Sequence, residues 1–321
     1  MKYVFFPEVG LKLSQLAFGC APVMGKVGRR AALTAMNAAH DQGVTHFDVA
    51  RSYGYGEAEA VLGAFARGKR DRITIATKFG IAPRQSAKAL RVLKPAVRAV
   101  LKHVTLAKSL VTKASSRVLA TGRYDLDSAR ASFEESLRQL GTDYVDILFL
   151  HDCSPQDALG EDLLAWLDAL VAAGKTRAWG IATHREWIEP VYEKLAGRPR
   201  IVQCEQNFFT AQPFTNGARH AAAIFHSPFG GAGKAERLSK GAEPSRHGTR
   251  IGGVPDPVSP AESSRFLLEY ALRRAGNNAV LCSMFDPAHI AANVEAVERP
   301  RFTVEVERFL LAGECPAPAT L

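Results

Sequence analysis

Asp48 and Tyr53 stand five residues apart in the stretch "HFDVARSYGYG" (46–56). Neither the helix period nor the strand period puts that spacing on one face, so only a loop brings the two side chains together. A hydrophobic run precedes the stretch and a helix-like run follows it, which makes it a turn at the end of a strand. Gly and Asn would turn the chain at lower cost, so an acid and a phenol there invite a chemical reading. A free phenol titrates at about 10, too high to release its proton readily at neutral pH. A cation beside it favours the phenolate and lowers that value. Lys78, near the end of "RITIATKFG" (72–80), is the candidate cation, and Asp48 can hold it charged and oriented. His151 closes "YVDILFLH" (144–151) and can hydrogen-bond a substrate oxygen. Together the four suit acid catalysis on a carbonyl, with Tyr53 as the acid, or oxidation of an alcohol in reverse. No side chain donates hydride, so a cofactor must. Singly, each residue also has a structural reading: Asp48 as a turn cap, Lys78 as a solvated strand end, His151 as a satisfied core histidine.

The elements that would position these residues alternate regularly. Strand-like runs at 14–19, 44–50, 72–80, 144–151, 176–183, 200–206, 220–228 and 278–284 are nearly all followed by helix-like runs, at 29–42, 57–68, 126–140, 162–174, 186–197, 261–276 and 287–298. Asp127 is the expected N-cap of the helix at 126–140 and Gly141 its stop. Strands alternating with helices imply a parallel sheet. Eight such units in this length fit an α/β fold, a closed (β/α)8 TIM barrel, better than an open doubly wound sheet. The open alternative should also show GxGxxG after an early strand, and "GKVGRR" (25–30) does not follow one. "YVFFPEVGLKL" (3–13) reads as an N-terminal β-hairpin turning at Pro7–Gly10, with Val4, Phe5 and Leu11 plugging the barrel bottom. The expectation is one domain over residues 1–321. In a barrel, chemistry gathers at the C-terminal ends of the strands, which is where Asp48, Lys78, His151, Gln203, His226 and Ser227 fall.

Bulk properties bound the rest. The chain has 321 residues, 47% hydrophobic and 23% charged, as ordinary globular enzymes do. No apolar run approaches the roughly 18 residues that span a bilayer. The N-terminus lacks a secretory h-region and cleavage site, so a cytoplasmic location is expected. The five cysteines are scattered and form no CxxC, which argues against a disulfide framework and a structural metal site. The net charge of +9 is concentrated: residues 83–123 carry ten Lys/Arg and no acid, and removing them leaves the rest at −1. A whole-protein nucleic-acid footprint is therefore not expected.

Several stretches resemble the aldo/keto reductase family. "FDVARSYGYGEAEAVLG" looks like its signature, in which Asp and Tyr precede the second helix. "IATKFG" resembles its Lys motif, and "SFEESLRQLGTDYVDILFLH" the helix and strand leading to its His. "GIAT", "VQCEQN", "HSPFGG" and "MFDPAHIAANVEAV" resemble its later cofactor-binding stretches, in the family's order. The resemblance implies an NAD(P)-dependent oxidoreductase on a (β/α)8 barrel, with a tetrad of Asp48, Tyr53, Lys78 and His151 and no metal. The bacterial sugar-aldehyde and aldose dehydrogenases are the members it looks most like, which implies a small carbonyl or sugar substrate. It also implies cofactor contacts from Gly19, Cys20, Asp48, Thr183, Gln203, His226, Ser227, Phe229, Ser283, Met284, His289 and Asn293. Ala182–Thr183 stands where the family usually has Ser-Asn on the carboxamide, and His226 where a stacking Tyr is common. Where NADP-preferring members place Lys or Arg, this chain has Ser283, Met284 and His289. The choice between NADP and NAD thus stays open, with Lys234, Arg237 and Lys240 as substitutes. Those three lie in residues 230–260, a Gly/Pro-rich stretch expected to be a long loop that clasps the cofactor pyrophosphate or lies plainly on the surface.

Within the basic insert, Arg91, Lys94, Arg98 and Lys102 share a helical stripe beside an apolar one. Residues 84–120 would then be a lid or oligomer contact, or a surface for an anionic membrane or an acidic partner. A reading of another class is a catalytically idle barrel that binds nicotinamide as a sensor or regulatory subunit.

Overall fold

The structure is a computed structural model that describes residues 1–83, 119–120, 122–210, 221–231, 233–239 and 259–312. Eight parallel strands close into a barrel: β3 (Leu16–Gly19), β4 (His46–Asp48), β5 (Thr74–Phe79), β8 (Val145–His151), β9 (Thr176–Ala182), β10 (Ile201–Glu205), β11 (Ala222–His226) and β12 (Ala279–Cys282). Val280 of β12 pairs with Leu16 of β3 to complete the ring. Helices α1 (Arg29–Asp41), α2 (Ala58–Ala66), α3 (Leu126–Leu140), α4 (Glu161–Ala172), α5 (Arg185–Lys194), α7 (Pro260–Ala275) and α8 (Pro287–Glu298) form the outer layer. The alternation of strand and helix in the sequence is thus the alternation of the fold.

The strand period sorts the side chains into two cores. Ala17, Ala76, Ile147, Phe149, Ala178, Ala182, Ile201, Ile224 and Leu281 face inward and pack with the hairpin. Their neighbours Phe18, Phe47, Ile75, Leu148, Trp179, Val202 and Phe225 face the helices. The inward parity also includes Gly19, Asp48, Lys78, His151, Gln203, His226 and Ser283, so one alternation delivers a set of polar groups to the top of the barrel interior.

The structure departs from expectation in several details. The hairpin forms from β1 (Tyr3–Phe6) and β2 (Leu11–Ser14). Val4, Phe6, Leu11 and Leu13 are its plug, each worth about 1.5–3 kcal/mol when fully buried. Phe5 is not: it is 59% exposed, because alternate residues of a strand cannot share a face. The N-cap of α3 is Asp125, whose carboxylate accepts from the Ser128 amide, and Asp127 lies inside the first turn. Gly141 ends that helix at φ 65, as expected. Residues 230–260 are not wholly loop, since α6 (Lys234–Ser239) forms there. A further helix, α9 (Thr303–Ala312), follows the last expected one. The short strands β6 (Ala82–Pro83) and β7 (Leu119–Ala120) pair antiparallel at the two ends of the basic insert. The insert itself, and with it the expected membrane or acidic-partner surface, lies outside the described residues, as does Lys240. No helix among the described residues is long and apolar enough to cross a membrane.

Candidate active site

Asp48 ends β4 and Lys78 stands one residue from the end of β5; both point into the barrel and both are 1% exposed. Their side chains form a buried ion pair through Lys78 Nζ and Asp48 Oδ1. Lys78 Nζ also donates to the Val49 carbonyl at 3.2 Å. The second carboxylate oxygen of Asp48 accepts from Gln203 Nε2 at 2.8 Å. Burying two charges is costly unless each is paired and hydrogen-bonded, and here both conditions hold.

Tyr53 begins a short 3-10 turn, Tyr53–Tyr55, directly after β4. Gly54 sits at φ 59, and a Cβ there would come within 2.6 Å of both the Met24 Cβ and the Val23 carbonyl oxygen. Glycine is therefore required by backbone and by space. The turn brings the Tyr53 ring over Lys78, whose Nζ lies 5.4 Å from the ring centroid. His151, at the end of β8, meets the same ring edge-on at 5.9 Å between centroids. The His151 carbonyl is fixed by the Tyr124 hydroxyl at 2.6 Å.

The electrostatics revise one expectation. Burial pushes the Tyr53 phenol well above its ordinary value, with the charge of Asp48 adding to the effect. The neighbouring Lys78 does not outweigh that burial. The phenol is therefore held in its protonated form. His151 is driven the other way, down to about 3, by burial and then by the Lys78 charge. It is neutral at physiological pH, and its Nδ1 is buried with no hydrogen-bond partner among the described residues.

A second layer ties the Tyr53 turn to the barrel. Glu59 of α2 is fully buried. It forms an ion pair with Arg51 in the turn and accepts from Thr77 Oγ1 at 2.7 Å. Thr77 precedes Lys78 and faces the helices. Arg51, unassigned by chemistry, is thus a structural clamp.

Lys78 of the tetrad is buried behind the other three; Asp48, Tyr53 and His151 line an open cavity of about 830 Å³, together with Gly19, Thr183, Gln203, His226, Ser227, Phe229 and Ser283 among others. These are ten of the residues singled out from the sequence. Cys20 and Met284 have the opposite parity and are buried in the helix-side core. Asn293 donates weakly to the sulfurs of Cys282 and Met284, at 3.6 and 3.7 Å. His289 is exposed on α8. The cavity also gathers Asp152, His184, Arg185, Glu186 and Glu205, which sequence reasoning did not single out. Their signal was position: Asp152 and His184 each stand just past a strand end, and Glu205 has inward parity.

The cavity fits a nicotinamide nucleotide. Its volume lies in the usual range for a small-ligand site. At Gly19 a Cβ would approach Ser283 Oγ to 3.1 Å, so a larger residue there would push the Ser283 side chain aside. Two carboxamide partners expected from the sequence are engaged within the protein. Thr183 Oγ1 donates to the Cys153 carbonyl at 2.7 Å and keeps only acceptor capacity, while one Gln203 N–H is spent on Asp48. His226 Nδ1 contacts Ser227 Oγ at 2.9 Å, and burial and the Lys78 charge lower its pKa to about 4, so its ring is neutral.

Residues 15–216 match the aldo/keto reductase family. The chain belongs to that family. Membership makes it by class an NAD(P)-dependent oxidoreductase, as the sequence motifs implied. It is 34% identical over 203 residues to a 6-dehydroglucose reductase of Agrobacterium fabrum, covering 59% of this chain and 58% of that one. The match thus spans less than two thirds of that relative's length. It is 27% identical over 321 residues to a pyridoxal 4-dehydrogenase of Microbacterium luteolum, covering 89% of this chain and 90% of the relative. Among solved structures, an aldo-keto reductase from Klebsiella pneumoniae in complex with NADPH superposes with a TM-score of 0.65 at 18% identity, covering 100% of this chain and 97% of that one. That likeness is one of fold.

Proposed function

We propose that this protein interconverts the carbonyl and alcohol of a small polar substrate, an aldose or sugar aldehyde, with Tyr53 as general acid and base. The observation that carries this reading is the buried Lys78–Asp48 ion pair set beside a Tyr53 ring that also meets neutral His151, with Asp48, Tyr53 and His151 lining one cavity. The nicotinamide cofactor, when bound, supplies or accepts hydride, and Gly19, Thr183, Gln203, His226, Ser227 and Ser283 would hold its nicotinamide half. Tyr53 holds a proton across the neutral range and gives it to the carbonyl oxygen. Neutral His151 orients that oxygen through a ring N–H without charging it. Asp48 keeps the Lys78 ammonium fixed, so that negative charge growing on the phenol oxygen meets a cation already in place. The sugar class draws support from the 6-dehydroglucose reductase relative.

Tyr53→Phe tests this directly. It should abolish turnover and leave NADH or NADPH affinity nearly intact. Normal turnover by the variant would sink the mechanism.

One observation favours a second reading, a nicotinamide-binding barrel without turnover. The Thr183 hydroxyl proton and one Gln203 N–H are both engaged inside the protein. Fluorescence titration with NADH and NADPH, then assay of a panel of aldehydes and aldoses, separates the two. Tight cofactor binding with no turnover on any substrate would favour the idle barrel.

A further inference from the structure

The cavity mouth carries charges that the acid device below does not use. Asp152 directly follows His151, Glu186 stands in the first turn of α5, and Glu205 ends β10; all three line the cavity. Asp152 Oδ1 lies 3.3 Å from His184 Nε2, and the Asp152 side chain is 44% exposed, which leaves its other oxygen open to solvent. The His184 ring is braced edge-on against Trp187 at 4.6 Å. Glu205 Oε1 accepts from Asn207 Nδ2 at 2.8 Å. The backbone of Asp152 is fixed as well. It sits in the left-handed region at φ 61, and its N–H donates to the Ala182 carbonyl at 2.7 Å.

Carboxylate oxygens accept hydrogen bonds and donate none. A substrate that fills this cavity therefore meets, one residue beyond the group facing its reacting carbonyl, a carboxylate oxygen otherwise served by solvent. An alkyl or aryl substrate that displaced solvent from that oxygen would leave it unpaired, which is costly. A hydroxyl would satisfy it, and a site built to bond a hydroxyl discriminates strongly against analogues that lack one.

We propose that Asp152 is a specificity-determining residue, whose free carboxylate oxygen accepts from a hydroxyl of a hydroxylated carbonyl substrate bound over Tyr53 and His151. The assignment rests on the carbonyl-reducing reading of the site and deepens it. His184 orients the carboxylate, leaving one oxygen for the substrate.

Glyceraldehyde and propanal share a carbon skeleton and differ in hydroxyls, so the ratio of their kcat/KM values isolates the term. Wild type should prefer glyceraldehyde. Asp152→Asn keeps the side-chain shape and tolerates the left-handed backbone, and it should lower the ratio about tenfold or more, the usual weight of a hydrogen bond to a charged group. If that variant melts early, Asp152→Gly, which the same backbone accepts, is read instead. An unchanged ratio, equal losses on both aldehydes, or a wild type without the preference would overturn the assignment while leaving the carbonyl-reducing reading in place. A wild type that turns over neither aldehyde with NADH or NADPH would overturn both.

Discussion

Lys78 and Asp48, thirty residues apart in the chain, meet in an ion pair sealed inside the barrel. The pair is costly to build and hard to break, because removing one partner strands the other charge away from water. Lys78→Met should therefore lower kcat by at least about a hundredfold, the scale of a lost acid–base component. It should also lower stability by about 3–5 kcal/mol, as breaking a buried pair does. The double variant Lys78→Met/Asp48→Leu should recover most of that stability, read from urea melts, and none of the activity. Recovery of activity would show that the pair is structural.

The Tyr53 turn depends on Gly54. Gly54→Ala adds a Cβ into the Met24 and Val23 backbone at an αL position. Displacement of the turn should cost about 1–3 kcal/mol. It should reduce kcat strongly with little change in cofactor dissociation constant. An unchanged kcat would mean that the phenol is placed by something other than this turn.

Glu59 tests the layer behind the site. Glu59→Gln leaves Arg51 without its counter-charge, at a cost of about 3 kcal/mol or more. Thr77→Val removes only one neutral donor to the carboxylate, about 1–3 kcal/mol. The first should lower kcat more than the second while both bind cofactor normally. Equal effects of the two substitutions on kcat would contradict a positioning role.

Acid stability follows from three histidines, buried His46 and half-buried His151 and His226. Burial lowers His46 to about 4, His226 to about 4 and His151 to about 3, against an ordinary value of 6.5. In the unfolded chain they take up protons as pH falls below 6.5; in the folded chain they resist until pH 3–4. The unfolded state thus binds more protons across that window, so stability is full above it and falls as pH drops through it. Tm measured from pH 8 to pH 4 should show that acid limb, and His46→Gln should make it shallower. A flat profile in wild type would contradict the burial of these rings.

Much of the site was legible in the sequence. Strand runs rich in branched residues, punctuated by helices, specify a barrel, and the period of two then decides which residues reach its interior. That is why Asp48, Lys78 and His151 could be grouped from strand ends alone. What local pattern could not decide was direction and neighbourhood. Phe5 looked as apolar as Phe6, yet only pairing with β2 decides which of them is buried. Cys20 and Met284 stood beside cavity residues in the sequence, but parity turned them into the core. The protonation of Tyr53 was the largest departure. Residue types suggested a phenol lowered by a lysine; in the folded chain the removal of the phenol from water outweighs that lysine. Charge and chemistry were thus set by composition and spacing. The balance between desolvation and pairing, which depends on distances across the closed barrel, was decided only by the tertiary structure.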